Sequence, residues 1–330
     1  MARKFRGGVG ASAALGFAAS MVLMALPTAS AAAPKYPTRP IEIIVPYAAG
    51  GGVDQTARAL APILQQELKV PVIVSDIPGA GSITGTSVAS DSVADGYTLF
   101  FDSPGIIDAP WIERGVPFGP QSFKYVGQIT YIPNYLAVSV TSPFKTLKQL
   151  VAYGRKHPNK LKAPFTAGWP STDVMGAEFA FDAHLKFTTV SGFTGGPAEL
   201  LSAIAGRTSF SYNNTGEVLS DVRAGKVRLL ATSAPTRSPV FPNIPTFEQQ
   251  GFPVAVGVWQ GLAAPAKTPQ YVMNVLDKAL AEAAKSPELK KNFAKIGITV
   301  DYLNSPETTK LIYSEYKSDG ALFKKLGVAK

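Results

Sequence analysis

The chain has no cysteine at all. That removes disulfides, thiolate nucleophiles, thiolate metal sites and lipid attachment through a lipobox cysteine. Histidine is almost as scarce, with only His157 and His184. His157 closes a basic Arg-Lys-His-Pro-Asn run and His184 ends a helical pattern before Leu185-Lys186, so both read as solvated helix ends rather than ligands or bases. Without spaced histidines there is no zinc motif, and no cofactor is implied. No Gly-x-Ser-x-Gly elbow appears, and Ser171, which follows a loop, has no base to activate it. Charged residues make up only 17% of the chain and form no basic stripe with interleaved aromatics, which argues against nucleic acid. After the first thirty residues no run is long and apolar enough to cross a bilayer.

What is plentiful is glycine and proline, 30 and 27 residues. That suits many short elements joined by loops, and 330 residues suit two domains better than one. Arg3, Lys4 and Arg6 precede an apolar stretch from Val9 to Leu26 and then Ala29-Ser30-Ala31, the pattern of a secretory signal peptide over residues 1–31. Cleavage after Ala31 or Ala33 is preferred over an anchor, because the stretch is rich in small residues and barely reaches spanning length. Losing those three basic residues takes the net charge from +9 to +6. The expected location is the periplasm.

Ile41 to Val45 reads as a buried strand followed by the glycine loop Pro46 to Gly52, with Asp54 able to cap the next helix and Pro62 expected to kink or shorten it. Val70 to Val74, the Pro78-Gly79-Ala80-Gly81 loop, a short helix near Ile83 to Ala89 and the strand Tyr97 to Phe101 repeat the alternation, implying a mostly parallel, helix-covered sheet. Tyr125 to Val140 holds two β-rich pieces around Pro133-Asn134, read as the crossing into a second domain. There the unit recurs: Ala163 to Thr166, the loop Gly168 to Thr172, and a helix from Val174 to His184. Val254 to Ala263 is the return strand, and the C-terminal part is helical, with Thr268-Pro269, Ser286-Pro287 and Ser305-Pro306 as cap-and-proline starts.

Gly50-Gly51-Gly52, Gly79-Ala80-Gly81-Ser82 and Gly168-Trp169-Pro170-Ser171-Thr172 each leave main-chain N–H groups bare before a helix, where the helix dipole favours an anion. Any one of them could be only a tight turn; three at helix starts in two domains point to a carboxylate site needing no Arg or Lys. Gly79-x-Gly81 with Gly85 has the wrong spacing for a dinucleotide fingerprint.

The ordered motifs Tyr36-Pro37 through Val45-Pro46-Tyr47-Ala48-Ala49-Gly50-Gly51-Gly52-Val53-Asp54, Pro78-Gly79-Ala80-Gly81, Asp95-Gly96-Tyr97-Thr98-Leu99, Ala167-Gly168-x-x-Ser171-Thr172 and Gly195-Gly196-Pro197-Ala198 resemble the tripartite tricarboxylate transporter receptors, the Bug family of solute-binding proteins. Arg237-Ser238-Pro239, Pro242-Asn243-Ile244-Pro245-Thr246 and Trp259-x-Gly261-Leu262-x-Ala264-Pro265 extend the likeness over essentially the whole mature chain. The resemblance implies an α/β, two-domain periplasmic-binding-protein fold of the Venus-flytrap, type II-like kind with its ligand cleft between the domains. It implies a first domain of residues 34–135 and 257–330, a second of 136–256, and a hinge near Ile132 to Val138 and Gly251 to Trp259. It also implies a monomer that hands a small carboxylate to integral membrane permease subunits and performs no catalysis. The ligand residues expected from it are Pro46, Tyr47, Ala48, Ala49, Gly50, Gly51, Gly52 and Ser103 on one side, and Gly168, Trp169, Ser171, Thr172, Phe193, Thr194 and Asn213 on the other. Trp169-Pro170, Val174 and Asn213 depart from the family's usual small residue, histidine and aspartate. Those departures favour an aromatic carboxylate stacked on Trp169 or Phe193, although Trp169 could equally only pack its loop. A sensor partner of a receptor kinase and a secreted hydrolase are the competing readings.

Overall fold

A computed structural model describes residues 1–2, 35–165, 171–193 and 195–330. The chain divides into two compact units, Met1–Pro34 and Lys35–Lys330, and the elements and cavities described below are those of the second. The expected signal peptide lies outside the described residues but for Met1 and Ala2. Among the described residues no helix is long and apolar enough to cross a membrane.

The β-branched run Ile41–Val45 forms β1, buried at every position but Glu42. α1 (Gly52–Leu68) carries the chain to β2 (Val72–Asp76), and α2 (Ile83–Asp91) carries it to β3 (Thr98–Asp102). Both β2 and β3 pair with β1 in parallel, as crossover connections through helices require. α3 (Gly105–Ile112) then leads to β4 (Phe123–Ser139), a strand of 17 residues. The excursion that follows comprises α4 (Leu147–Lys156), β5 (Lys162–Pro164), α5 (Ser171–Asp182), β6 (Thr188–Val190), α6 (Gly196–Ile204), β7 (Ser211–Asn214), α7 (Thr215–Arg223) and β8 (Val227–Thr232). β9 (Gly257–Pro265) returns, and α8 (Gln270–Lys285), α9 (Pro287–Lys295) and α10 (Ser305–Lys325) end the chain.

The strand order is β2-β1-β3-β9-β4-β7, with β8 also on β4 and a separate parallel pair β5-β6. β4 has two partners in turn. From Phe123 to Pro133 it runs antiparallel to β9; from Asn134 to Ser139 it runs antiparallel to β7 and β8. Each stretch sits over its own apolar core. One gathers Ile41, Ile43, Leu60, Leu64, Leu99, Val126, Leu280 and Phe293; the other gathers Leu136, Val138, Leu150, Phe179, Phe210 and Phe247. The chain therefore crosses between the two halves at Pro133–Asn134 and at Val256–Gly257. Asn134 ties these crossings together, its Nδ2 donating to the Val256 carbonyl at 3.1 Å.

Several expectations need correction. The sheet is parallel only across β2-β1-β3, because β9 and β4 come back antiparallel. The two β-rich pieces around Pro133 are one strand, since Pro133 sits where the ladder changes partner. α1 runs through Pro62 without a break. Pro62 and Arg58 lie on the exposed face, so water can take the carbonyl that loses its i→i+4 partner. Asp54 does not cap α1; Gly51 does, and Asp54 instead accepts the Gly50 N–H at 2.7 Å. Ser286 caps α9 as expected, but α10 is capped by Asn304 in a reciprocal box with Glu307, and the Thr268 hydroxyl turns back to Pro265.

Candidate functional site

The cleft between the two halves holds a cavity of ≈ 650 Å³. From the first half it is lined by Tyr47 after β1, by Ala80, Gly81 and Ile83 at the start of α2, and by Ser103 to Gly105 at the start of α3. From the second half come Ser171 and Thr172 at the start of α5, Gly195 and Gly196 at the start of α6, and Asn214 and Glu217 around the start of α7. Asn134 and Val258 lie where the chain crosses. One space thus receives the N-termini of helices from both halves, where first-turn amides and the partial positive charge of the dipole collect. The caps of α3 and α6, Pro104 and Gly195, offer no side-chain oxygen to those amides. α7 differs, because the Asn214 side chain accepts the Glu217 N–H and Glu217 accepts the Asn214 N–H.

Close backbone approach explains two glycines. A β-carbon on Gly105 would stand 2.7 Å from both the Tyr47 hydroxyl and Ser82 Oγ, and one on Gly196 would collide with the Glu217 carboxylate. The Tyr47 hydroxyl lies 2.8 Å from Ser103 Oγ, which holds the phenol against the start of α3.

Of the residues singled out in the sequence, Tyr47, Ser103, Ser171 and Thr172 line this cavity. Pro46 is buried, whereas Ala48 through Gly52 are exposed and outside its lining. Phe193 is half-buried and also outside the lining. Asn213 is fully buried behind the wall, its Nδ2 donating to the Gly196 carbonyl at 2.8 Å and to Glu217 Oε2 at 3.1 Å. It braces two helix starts rather than lining the space. Gly168, Trp169 and Thr194 lie outside the described residues.

The sequence reading missed Asn134, Gly105, Asp108 and Glu217 as cleft residues. Ser103-Pro104-Gly105 carried a usable signal, serine then proline ahead of an apolar run. Asn134 carried a weaker one, a polar amide directly after Pro133 where two β-rich pieces meet.

A smaller cavity of ≈ 130 Å³ adjoins the cleft, sharing Pro104, Asp108 and Ser171 with it. Glu178 of α5 faces Glu315 and Asp319 of α10 across it. Burial, reinforced by Asp319 and Asp182, raises Glu178 to about 7. Burial, with Asp319 and Glu178 adding to it, raises Glu315 to about 8, against the opposing hydrogen bond from Trp259. Asp319 rises to about 6 for the same first reason, moderated by a hydrogen bond with Asp108. Among the described residues no group of three or more His, Asp or Glu is arranged to hold a metal ion.

Comparison with known proteins gives this arrangement a context. The family model "Tripartite tricarboxylate transporter family receptor" matches residues 56–328. The UPF0065 protein in the gbd 5' region of Cupriavidus necator is 30% identical, over 94% of this chain and 94% of its own. A TctC solute binding protein from Polaromonas, solved with no ligand, superposes with a TM-score of 0.80 at 24% identity, covering 88% of this chain and 100% of its own. An R. palustris protein solved with adipate gives 0.75 at 24% identity, covering 89% and 99%. The fold shared with these structures is that of two-domain periplasmic binding proteins.

Proposed function

We propose a function that starts from membership: the chain belongs to the tripartite tricarboxylate transporter receptor family, whose members are periplasmic solute-binding receptors rather than enzymes. On our reading it captures a small carboxylate in the inter-domain cleft and presents it to membrane permease subunits. The carrying observation is that helix starts from both halves, Gly105 on one side and Ser171, Thr172, Gly195 and Gly196 on the other, line one cavity. Main-chain amides at helix N-termini hold a carboxylate without a cationic side chain. Neither half supplies the full set, so a ligand gains its second set of contacts only when the halves close on it. That difference in affinity is what a hinge needs to be driven shut. We take the domain limits at 34–135 with 257–330 and at 136–256, close to Pro133–Asn134, where β4 changes partner, and to Val256–Gly257, where β9 begins.

For the ligand we favour an aromatic carboxylate. The Tyr47 ring, Ile83, Ala109, Ile112 and Val258 give the cavity an apolar wall, and Trp169 stands next to the Ser171-Thr172 segment in sequence. The adipate held by the R. palustris relative supports an aliphatic acid as the second reading. A thermal-shift panel of aromatic and aliphatic acids decides between them. Aromatic acids are expected to raise Tm by several degrees at millimolar concentration, as mass action requires of a ligand that binds only the folded protein. Stabilisation by aliphatic acids alone rejects the aromatic assignment, and stabilisation by neither rejects the carboxylate cleft.

A further inference from the structure

Asn134 occupies the point where β4 leaves one core for the other, and it is completely buried. Its main chain is held on both sides. The N–H donates to Ser233 Oγ at 3.0 Å, and the carbonyl accepts from the Ser233 N–H at 2.9 Å and from Thr232 Oγ1 at 3.2 Å. In the side chain, Nδ2 donates to the Val256 carbonyl at 3.1 Å and to Ser171 Oγ at 3.3 Å. Both amide hydrogens are therefore placed, while Oδ1 is buried with no protein partner. Turning the amide over does not help, because Oδ1 would then meet the Val256 carbonyl, acceptor against acceptor. A buried acceptor left in this state costs free energy until a donor reaches it. Asn134 is among the residues around the cleft, so movement of the halves on a bound molecule can bring a donor to this buried oxygen.

The rest of the wall points the same way. The charged residues lining the cavity are Asp108, Glu113 and Glu217, and no Lys, Arg or His is among the described lining residues. Residues 166–170 and 194 contain only Thr, Ala, Gly, Trp and Pro, so they add no cation. Glu217 already accepts from Asn213 Nδ2 and the Asn214 N–H, and Glu113 is paired with Lys330 at 3.5 Å. A second anionic group on a ligand would meet carboxylates and an amide oxygen; a hydroxyl or amino group would meet acceptors.

We propose that Asn134 Oδ1 is a specificity-determining acceptor, so that the ligand carries one carboxylate and, in addition, a hydroxyl or amino group that donates to it. This rests on the carboxylate-cleft reading and narrows it. A site with a buried acceptor discriminates strongly against an analogue lacking the matching donor.

The test is calorimetry with matched monocarboxylates: 3-phenylpropionate against its 4-hydroxyphenyl analogue, and hexanoate against 2-aminohexanoate and 3-hydroxyhexanoate. In the native protein the donor-bearing member of at least one pair is expected to bind about tenfold tighter or more. In Asn134→Leu, which removes the acceptor, that preference should shrink to within about threefold. Asn134→Ala removes the same acceptor without adding bulk beside the Val256 carbonyl, and the preference is expected to shrink there too. It decides the matter if the leucine variant fails to fold. Acids that bind with equal affinity within every pair overturn this inference and leave the carboxylate cleft standing, with water serving Oδ1 instead. A preference that survives Asn134→Leu unchanged overturns it as well. If no acid in the panel binds, both readings fall together.

Discussion

Ser171 and Thr172 show how a single residue ties sequence to site. They open α5, so their own amides and hydroxyls sit at a helix N-terminus facing the cleft, and Ser171 Oγ accepts from Asn134 Nδ2. Replacing both by alanine removes two hydroxyls but leaves the helix and its apolar packing in place. We expect carboxylate affinity to fall about tenfold, the loss of one or two hydrogen bonds to a charged group. The apo protein should melt no more than a few degrees lower, the cost of leaving the buried Asn134 Nδ2 without its Ser171 acceptor. Unchanged affinity by isothermal calorimetry counts against the site. These two positions were legible in the sequence because a glycine loop ran straight into a helix pattern. Asn213 was only half legible: its type and its neighbourhood were right, but whether an asparagine in a strand faces a cleft or a neighbouring helix depends on the register of β7 against β4, which spacing alone does not specify.

At the scale of elements, the regular pieces followed from local chemistry. β1 matched its β-branched run, and the Thr146 and Ser286 caps stand where a hydroxyl precedes an apolar helix pattern. α3 went unread because a helix of eight residues with Pro110 inside it presents little periodicity. The acidic pocket between α5 and α10 was invisible for a different reason: Glu178, Glu315 and Asp319 are far apart in the chain and meet only through packing. Their folded-state values lie above the ordinary 4.5 and 3.8, so the folded protein holds these protons more tightly than the unfolded chain does. Such a contribution is fully present below the ordinary carboxylate range and is lost as pH rises through about 6 to about 8. Calorimetric melting should therefore show Tm falling by about 4 °C or more between about pH 5 and about pH 8.5. Glu315→Gln keeps an oxygen for the Trp259 N–H, which donates to Glu315 at 2.6 Å, and should flatten that slope. A flat profile in the native protein, or an unaltered slope in the variant, contradicts the assignment. Tyr131, pushed upward by burial and by Glu315, Asp301 and Glu178, shares this environment but stays protonated throughout the range.

For the molecule as a whole, the decisive feature is that β4 and the Val256–Gly257 crossing join two cores while helix starts from each half converge on one space. Alternating strands, glycine loops and helices were enough to suggest two such halves. Pro133-Asn134 marked the crossing; what it could not convey is that one long strand serves both halves, because strand continuity through a change of partner is a tertiary event. The most direct test is a crystal structure of the protein loaded with whichever acid stabilises it most. The account predicts the carboxylate oxygens within about 3.2 Å of main-chain nitrogens contributed by both halves, at the starts of α3 or α2 on one side and of α5 or α6 on the other. A solute bound outside this cleft, or gripped by one half alone, contradicts it.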